Sequence, residues 1–271
     1  MSKSASLFKP TTSFLALRDK GTAPRQSSKS KLSELGVINT PICTYFTHEL
    51  RTWLEWLLGL KNIECEITQW KAKVQNNTNV IDIQQSLAWR SFTWSNPKEN
   101  DIDPLQLAFL LFVDWFNPCG SKLSGKQQSM GCIVLSCLNL PPDLRNKPGY
   151  SLLYIIIPGP NAPNTTTISI VLRPLVDELL ILKDGVKICT SDYPKGCEIY
   201  VQLLSSVGDL VAMHKIVGFG SHSASQFCAW CTAELKDLQA MSIGTHRGAH
   251  EVREAANTWK SATSISLQEK I

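Results

Sequence analysis

No stretch of this chain is long enough to cross a bilayer as a helix. Its longest apolar runs, Ile133 to Leu140 and Leu152 to Ile157, fall well short of the roughly 20 residues a membrane span needs. The amino terminus, MSKSASLFKP, lacks the continuous apolar segment of a secretory signal. Positive charge is scarce where a duplex-binding surface would concentrate it. The net charge is +4, but residues 1–40 hold seven Lys/Arg against two Asp/Glu, leaving 20 against 21 for residues 41–271. The basic balance therefore sits in the first 40 residues, which contain no dense Lys/Arg cluster. Other absences exclude chemistry. GSKLSGKQQS (120–129) lacks the GxxxxGK[ST] order of a P-loop, and no Ser/His/Asp or Cys/His arrangement stands out. The simpler reading of that stretch is a flexible hairpin loop whose Lys122 and Lys126 could touch a nucleic-acid backbone.

What is present describes a globular protein. With 271 residues, 43% of them hydrophobic and 18% charged, the chain can bury a core in one large domain or two small ones. Nine cysteines, an odd number, point to reduced thiols in an intracellular compartment. The sequons at Asn76 and Asn164 then carry no meaning. Eight tryptophans are spread along the chain and are expected to serve the core.

Composition and periodicity divide the chain into four parts. Residues 1–40 are Ser-, Thr- and Lys-rich and read as a disordered basic tail, with one apolar patch at Phe14 to Leu17. Residues 41–104 read as a helical segment and connector. Leu50, Trp53, Leu54, Leu57 and Leu58 recur at helical spacing, and a second helix is expected over Ile63 to Val74. Residues 105–220 carry three apolar runs of strand length, Leu105 to Pro118, Gly131 to Pro142 and Tyr150 to Pro160, each stopped by proline. A helix over Ser169 to Leu182 ending near Gly185, a strand over Cys197 to Leu210 and a short helix closed by Gly218 follow. Residues 221–271 hold a CxxC. Three strands, a helix, a strand and a helix predict a mixed sheet covered by helices, an α/β fold with the element order of an RNase H-like core.

Two sets of residues could carry chemistry. Asp114 and Asp209 each end an apolar strand, and carboxylates converging from neighbouring strands suit hard divalent cations such as Mg²⁺ or Mn²⁺. The competing reading is a strand-end aspartate that caps a turn or the next helix. Cys228 and Cys231 form the CxxC in FCAWC, with His222 before them and His246 and His250 after them. Two thiolates on a tight turn can present both sulfurs to one Zn²⁺, and His246 and His250 lie within the spacing zinc modules use. Unliganded cysteines are the alternative. His214 is expected to be a packing histidine.

Three stretches then carry a resemblance. FVDWFNPCGSKLSGKQQSMGCIVLSCLNLPPDLR, IIIPGPNAPNTTTISIVLRPLVDELL and GDLVAMHKIVGFGSHSASQFCAWC together resemble the transposase of CACTA (En/Spm-type) DNA transposons in its fungal, basidiomycete branch, over roughly residues 43–271. The resemblance implies an RNase H-like DDE/D domain that cuts and joins DNA at transposon terminal inverted repeats with Mg²⁺ or Mn²⁺, acting in the nucleus. It places Asp114 and Asp209 as the first two catalytic acids, and Cys228 and Cys231 as a zinc-binding insertion. The chain departs from the family pattern in two places. Only Cys43 stands where upstream cysteines are usual, and no third acid follows at the family's distance, Glu251 and Glu254 lying too close to the cysteine pair. The expectation is therefore a fragment or degenerate copy without strand transfer of its own. The rival is a non-catalytic zinc module that binds DNA or a partner, self-association being one form of that partnership.

Overall fold

The computed structural model describes residues 12–16, 44–98, 104–118, 129–159, 163, 167–220, 223–240 and 243–264. The chain forms two compact units, Met1–Pro163 with Ser169–Asp209, and Asn164–Ile168 with Leu210–Ile271.

The larger unit is built on a seven-stranded mixed sheet. Its strands are β1 (Thr12–Ala16), β2 (Thr44–His48), β3 (Leu105–Phe116), β4 (Met130–Cys137), β5 (Ser151–Ile157), β6 (Val186–Ile188) and β7 (Cys197–Gly208). They lie in the order β1-β2-β5-β4-β3-β7-β6. β3, β4 and β5 form the expected antiparallel meander, and β7 joins β3 in parallel. Helices α1 (Leu50–Gly59), α2 (Ile63–Gln75), α3 (Leu87–Arg90), α4 (Pro142–Arg145) and α5 (Ile168–Lys183) accompany it. The smaller unit carries α6 (Leu210–Val217) and α7 (Ala249–Ser261). Among the described residues no helix is long and apolar enough to cross a membrane.

Alternation decides which sheet face is buried. Leu107, Phe109, Leu111 and Val113 of β3, and Ile133, Leu135 and Cys137 of β4, are buried, while the intervening residues, apart from the buried Ala108, are half-buried. This is the period-2 signature of a sheet with one face packed on helices. α1 supplies Leu50, Trp53, Leu54, Leu57 and Leu58 to that core, and Trp53 meets Phe109 edge-on at 6.1 Å. A buried side chain of this size contributes about 1.5–3 kcal/mol, so this apolar stripe outweighs any missing cap. α1 and α5 are tied where the Arg51 amide donates to Glu178 Oε1 at 2.8 Å. Gly185 ends the α5 region at φ 86°, where a Cβ would also sit 2.7 Å from the Tyr200 ring. Glycine satisfies both demands.

Three features differ from the sequence expectation. Thr12–Ala16, inside the segment expected to be disordered, pairs antiparallel with β2. Residues 41–104 are not only helical, because β2 adds a strand to the sheet. β6 is a three-residue strand hairpinned onto β7 that no apolar run announced.

The connector is pinned rather than loose. Asp82 caps a 3-10 turn at Ile83–Gln85, and Ser86 Oγ accepts from the Trp89 amide at 3.2 Å to start α3. Beyond α3, the Ser95 amide donates to Gln202 Oε1, Ser95 Oγ donates to the Lys183 carbonyl, and Gln106 Nε2 donates to the Ser95 carbonyl. The segment thus lies at the amino-terminal ends of β3 and β7.

Candidate active site

The parallel pairing of β3 with β7 governs where the two aspartates stand. From Leu105↔Ile199 to Phe109↔Leu203 the strands run in simple register. A bulge at Leu204 then shifts the pairing, so that Leu110 meets Ser205 and Val113 meets Gly208. β7 ends at Gly208, and continuing this register one residue beyond it would put Asp209 level with Asp114. Neighbouring strands lie about 4.8 Å apart, and residues level with one another share a face. Without the extra residue, Asp114 would stand opposite Gly208 and Asp209 would turn to the other face. The bulge therefore brings the ends of the two strands that carry Asp114 and Asp209 into a register in which both positions fall on the face that also holds Phe112 and Val207.

Cys132 extends this row, since it pairs with Asp114 across the antiparallel β3/β4 ladder. Burial first, then the Asp114 charge, pushes the Cys132 thiol up, partly offset by hydrogen bonding from the Asp114 amide. Asp114 is half-buried, and its Oδ1 accepts from the Trp115 amide at 2.8 Å. Asp209 is exposed. Trp115 needs the absence of a side chain on its neighbour: a Cβ on Gly131, its cross-strand partner, would lie 2.7 Å from the indole Nε1. Two carboxylates set side by side repel unless a cation lies between them, and all-oxygen donors fit Mg²⁺ or Mn²⁺. Among the described residues no group of three or more His, Cys, Asp or Glu side chains is arranged to hold a metal.

The cysteine pair belongs to the smaller unit. Cys231 and His246 form an antiparallel bridge, flanked by Thr232 N–H to Thr245 O and Arg247 N–H to Trp230 O, both 2.9 Å. Directly opposed residues project to one face, so Cys231 and His246 are neighbours. Cys228 Sγ accepts from the Trp230 amide at 3.4 Å. That hydrogen bond, followed by those from Cys231 and the Arg247 charge, outweighs burial and holds the Cys228 thiol below its ordinary value. A thiol that ionises more readily than usual suits a metal ligand. His250 starts α7, with Nδ1 3.5 Å from Glu254 Oε2 on an exposed surface. His222 lies outside the described residues, as do Lys122 and Lys126. His214 is 3% exposed, as expected of a packing residue, and its Nδ1 has no hydrogen-bond partner among the described residues.

Sequence reasoning missed two groups. Arg247 binds the knuckle from below, its Nε donating to both the Cys228 and Cys231 carbonyls at 3.1 Å and its guanidinium lying 5.3 Å from the Phe219 ring. Nothing in the spacing marks it apart from its place beside His246. The tryptophans are not all core residues either. Trp89 meets Trp94 edge-on at 5.3 Å, and Phe92 meets Trp94 at 5.1 Å. Three aromatics within six residues were the available signal.

The larger unit is thus a mixed α/β fold, and the smaller one carries the cysteine pair. The comparison with known families is specific: residues 80–256 match the transposase family tnp2, and the chain belongs to that family. No curated protein matches the chain.

Proposed function

We propose that the chain derives from a CACTA (En/Spm-type) transposase of the fungal branch, with an RNase H-like DDE/D core acting on DNA at terminal inverted repeats. The register that would set Asp114 level with Asp209 carries this reading. A meander followed by a parallel fourth strand, with one acid on the first strand and another at the end of the fourth, is the arrangement such a core requires. Asp114 and Asp209 would hold Mg²⁺ or Mn²⁺, and the bound metal would supply charge stabilisation to the phosphoryl oxygens of DNA cleavage. The protein's own part is placement. Asp114 on β3 and Asp209 directly after β7 would be held by two adjacent strands of one sheet, so neither would have to be ordered when substrate arrives. No third acid joins them among the described residues, and the chain alone is proposed to lack strand-transfer activity.

Mn²⁺ binding followed by electron paramagnetic resonance tests the pair. Asp114→Asn and Asp209→Asn should each weaken binding at least tenfold, and unchanged affinity in both would sink the assignment. Cleavage and strand transfer on DNA carrying matching repeats tests the inactivity. Robust turnover abolished by Asp114→Ala would overturn it.

A second reading is favoured by the Cys231–His246 bridge and the lowered Cys228 thiol: a zinc module that binds DNA or a partner without catalysis. Cys228 and Cys231 would be ligands, with His246 and His250 the candidates to complete the set when metal binds, since no three such side chains are preassembled among the described residues. DNA affinity measured across salt concentrations separates the readings, because binding with no salt dependence speaks against phosphate contact.

A further inference from the structure

A cavity of about 660 Å³ opens between α2, the capped turn, α3 and the amino-terminal end of β3. That volume falls within the roughly 300–1,000 Å³ typical of small-ligand sites. Gln106 lines it, eight residues before Asp114 on the same strand, so at about 3.3 Å per residue it lies some 26 Å from the paired aspartates. It is a separate site.

Its chemistry is selective. Trp89 and Trp94 form aromatic wall, Lys71 and Arg90 supply positive charge, and no Asp or Glu among the described residues lines it. The nearby acid, Asp82, is buried beneath and occupied by Arg145, Trp70 and the Gln84 amide. Ser86 fixes Trp89 by capping α3, and the Arg90 guanidinium is anchored on the Gln85 carbonyl. Gln84 donates its Nε2 to the Leu138 carbonyl at 3.0 Å, leaving Oε1 without a partner among the described residues. Val80, on the rim, is 82% exposed. Indole rings, an open carboxamide and two cations, with no carboxylate among the described lining residues, match a heteroaromatic base linked to phosphate.

We propose that this cavity binds one or two unstacked nucleotides of single-stranded DNA, with bases against Trp89 and Trp94 and backbone phosphate on Lys71 and Arg90. The inference rests on the reading of DNA as the partner and adds to it a site remote from the carboxylates. A base inside a duplex offers no free face for such stacking, whereas a frayed or displaced strand does. The low positive charge of residues 41–271 agrees with this, because stacking rather than a broad basic surface would supply most of the affinity.

The test is anisotropy of a short labelled oligothymidylate titrated with the full chain in EDTA, so that metal and cleavage play no part. Trp94→Leu should weaken binding ten- to a hundredfold, the scale of one lost stacking partner, while Trp94→Phe retains most of it. Lys71→Glu, an exposed change that leaves folding intact, should weaken binding severalfold and flatten its salt dependence. Blunt duplex of equal length should bind more weakly than the single strand and respond little to Trp94→Leu. Equal losses on duplex and single strand, no binding of single strand, or a self-associated form that Trp94→Leu dissociates would each overturn the proposal. The last would assign the cavity to a protein contact. Because the assay contains no metal, its failure leaves the aspartate pair untouched, and failure of Mn²⁺ binding leaves this site standing.

Discussion

Replacing Arg145 by methionine removes the guanidinium that neutralises Asp82, a carboxylate with none of its side chain exposed. The two meet at 2.7 Å through Arg145 Nη2 and Asp82 Oδ2. Arg145 Nη1 also donates to the Leu138 carbonyl at 3.1 Å, and Asp82 keeps two further donors, Trp70 Nε1 at 3.2 Å and the Gln84 amide at 2.9 Å. Breaking a buried pair from one side costs about 3–5 kcal/mol, because the remaining charge stays out of water. The two surviving donors, and the 14% exposure of the Arg145 side chain, place this case near the lower end, about 3 kcal/mol. That is a large share of the roughly 5–15 kcal/mol that holds a domain folded. The midpoint of thermal unfolding should fall by about 6–12 °C. Urea denaturation followed by tryptophan fluorescence measures the loss. Asp82→Asn keeps a capping acceptor and should cost about 1–2 kcal/mol. The double variant should be milder than the sum of the singles by more than about 1 kcal/mol, as expected for residues in contact. A loss below about 1 kcal/mol for Arg145→Met with an unchanged urea slope, or strict additivity, would refute the claim that this pair welds the connector to the β4–β5 turn.

The thiols should separate cleanly by pH. Cys228, held below its ordinary value by amide donors, should be alkylated at a rate that reaches its plateau at lower pH than a free thiol. Cys137, pushed up to about 11 by burial, should stay inert across the neutral range, which peptide mapping after iodoacetamide would check. Gly131→Ala should destabilise the fold by about 1–3 kcal/mol, since Trp115 must leave its place, and a change below about 0.5 kcal/mol would show that the indole moves freely. If the knuckle holds zinc, the purified chain should release about one equivalent to a chelating dye, and His246→Ala should lower that yield and loosen Cys228 and Cys231 to alkylation. Equal yields from both proteins would remove His246 from the ligand set.

The elements that could be read in advance share one property: their signal is local. β3, β4 and β5 are apolar runs closed by proline, α1 carries its stripe within ten residues, and Gly185 and Gly218 mark helix ends at φ 86° and 74°. β1, β2 and β6 have three to five residues each and exist through their pairing partners, so periodicity had too few positions to act on. Asp82 and Arg145 are 63 residues apart, and their meeting depends on the turn that Asp82 itself caps. The aspartates could be suspected because each closes an apolar run. The register that brings the ends of their strands together could not, since the pairing turns on one unpaired leucine. Trp89 and Trp94 converge only because the chain turns between them, which counting aromatics along the sequence does not reveal.

Leu204 makes the length of β7 a matter of parity. Side chains alternate across the sheet, so an even number of residues inserted or deleted between the bulge and Asp209 would keep the carboxylate's facing while sliding its level. An odd number would invert the facing outright. In comparing this chain with related sequences, the spacing between Cys197 and Asp209 is thus worth more than the identity of the residues between them. A relative that preserves every apolar position but loses that one surplus leucine would keep the sheet while aiming its second acid into the packed interior.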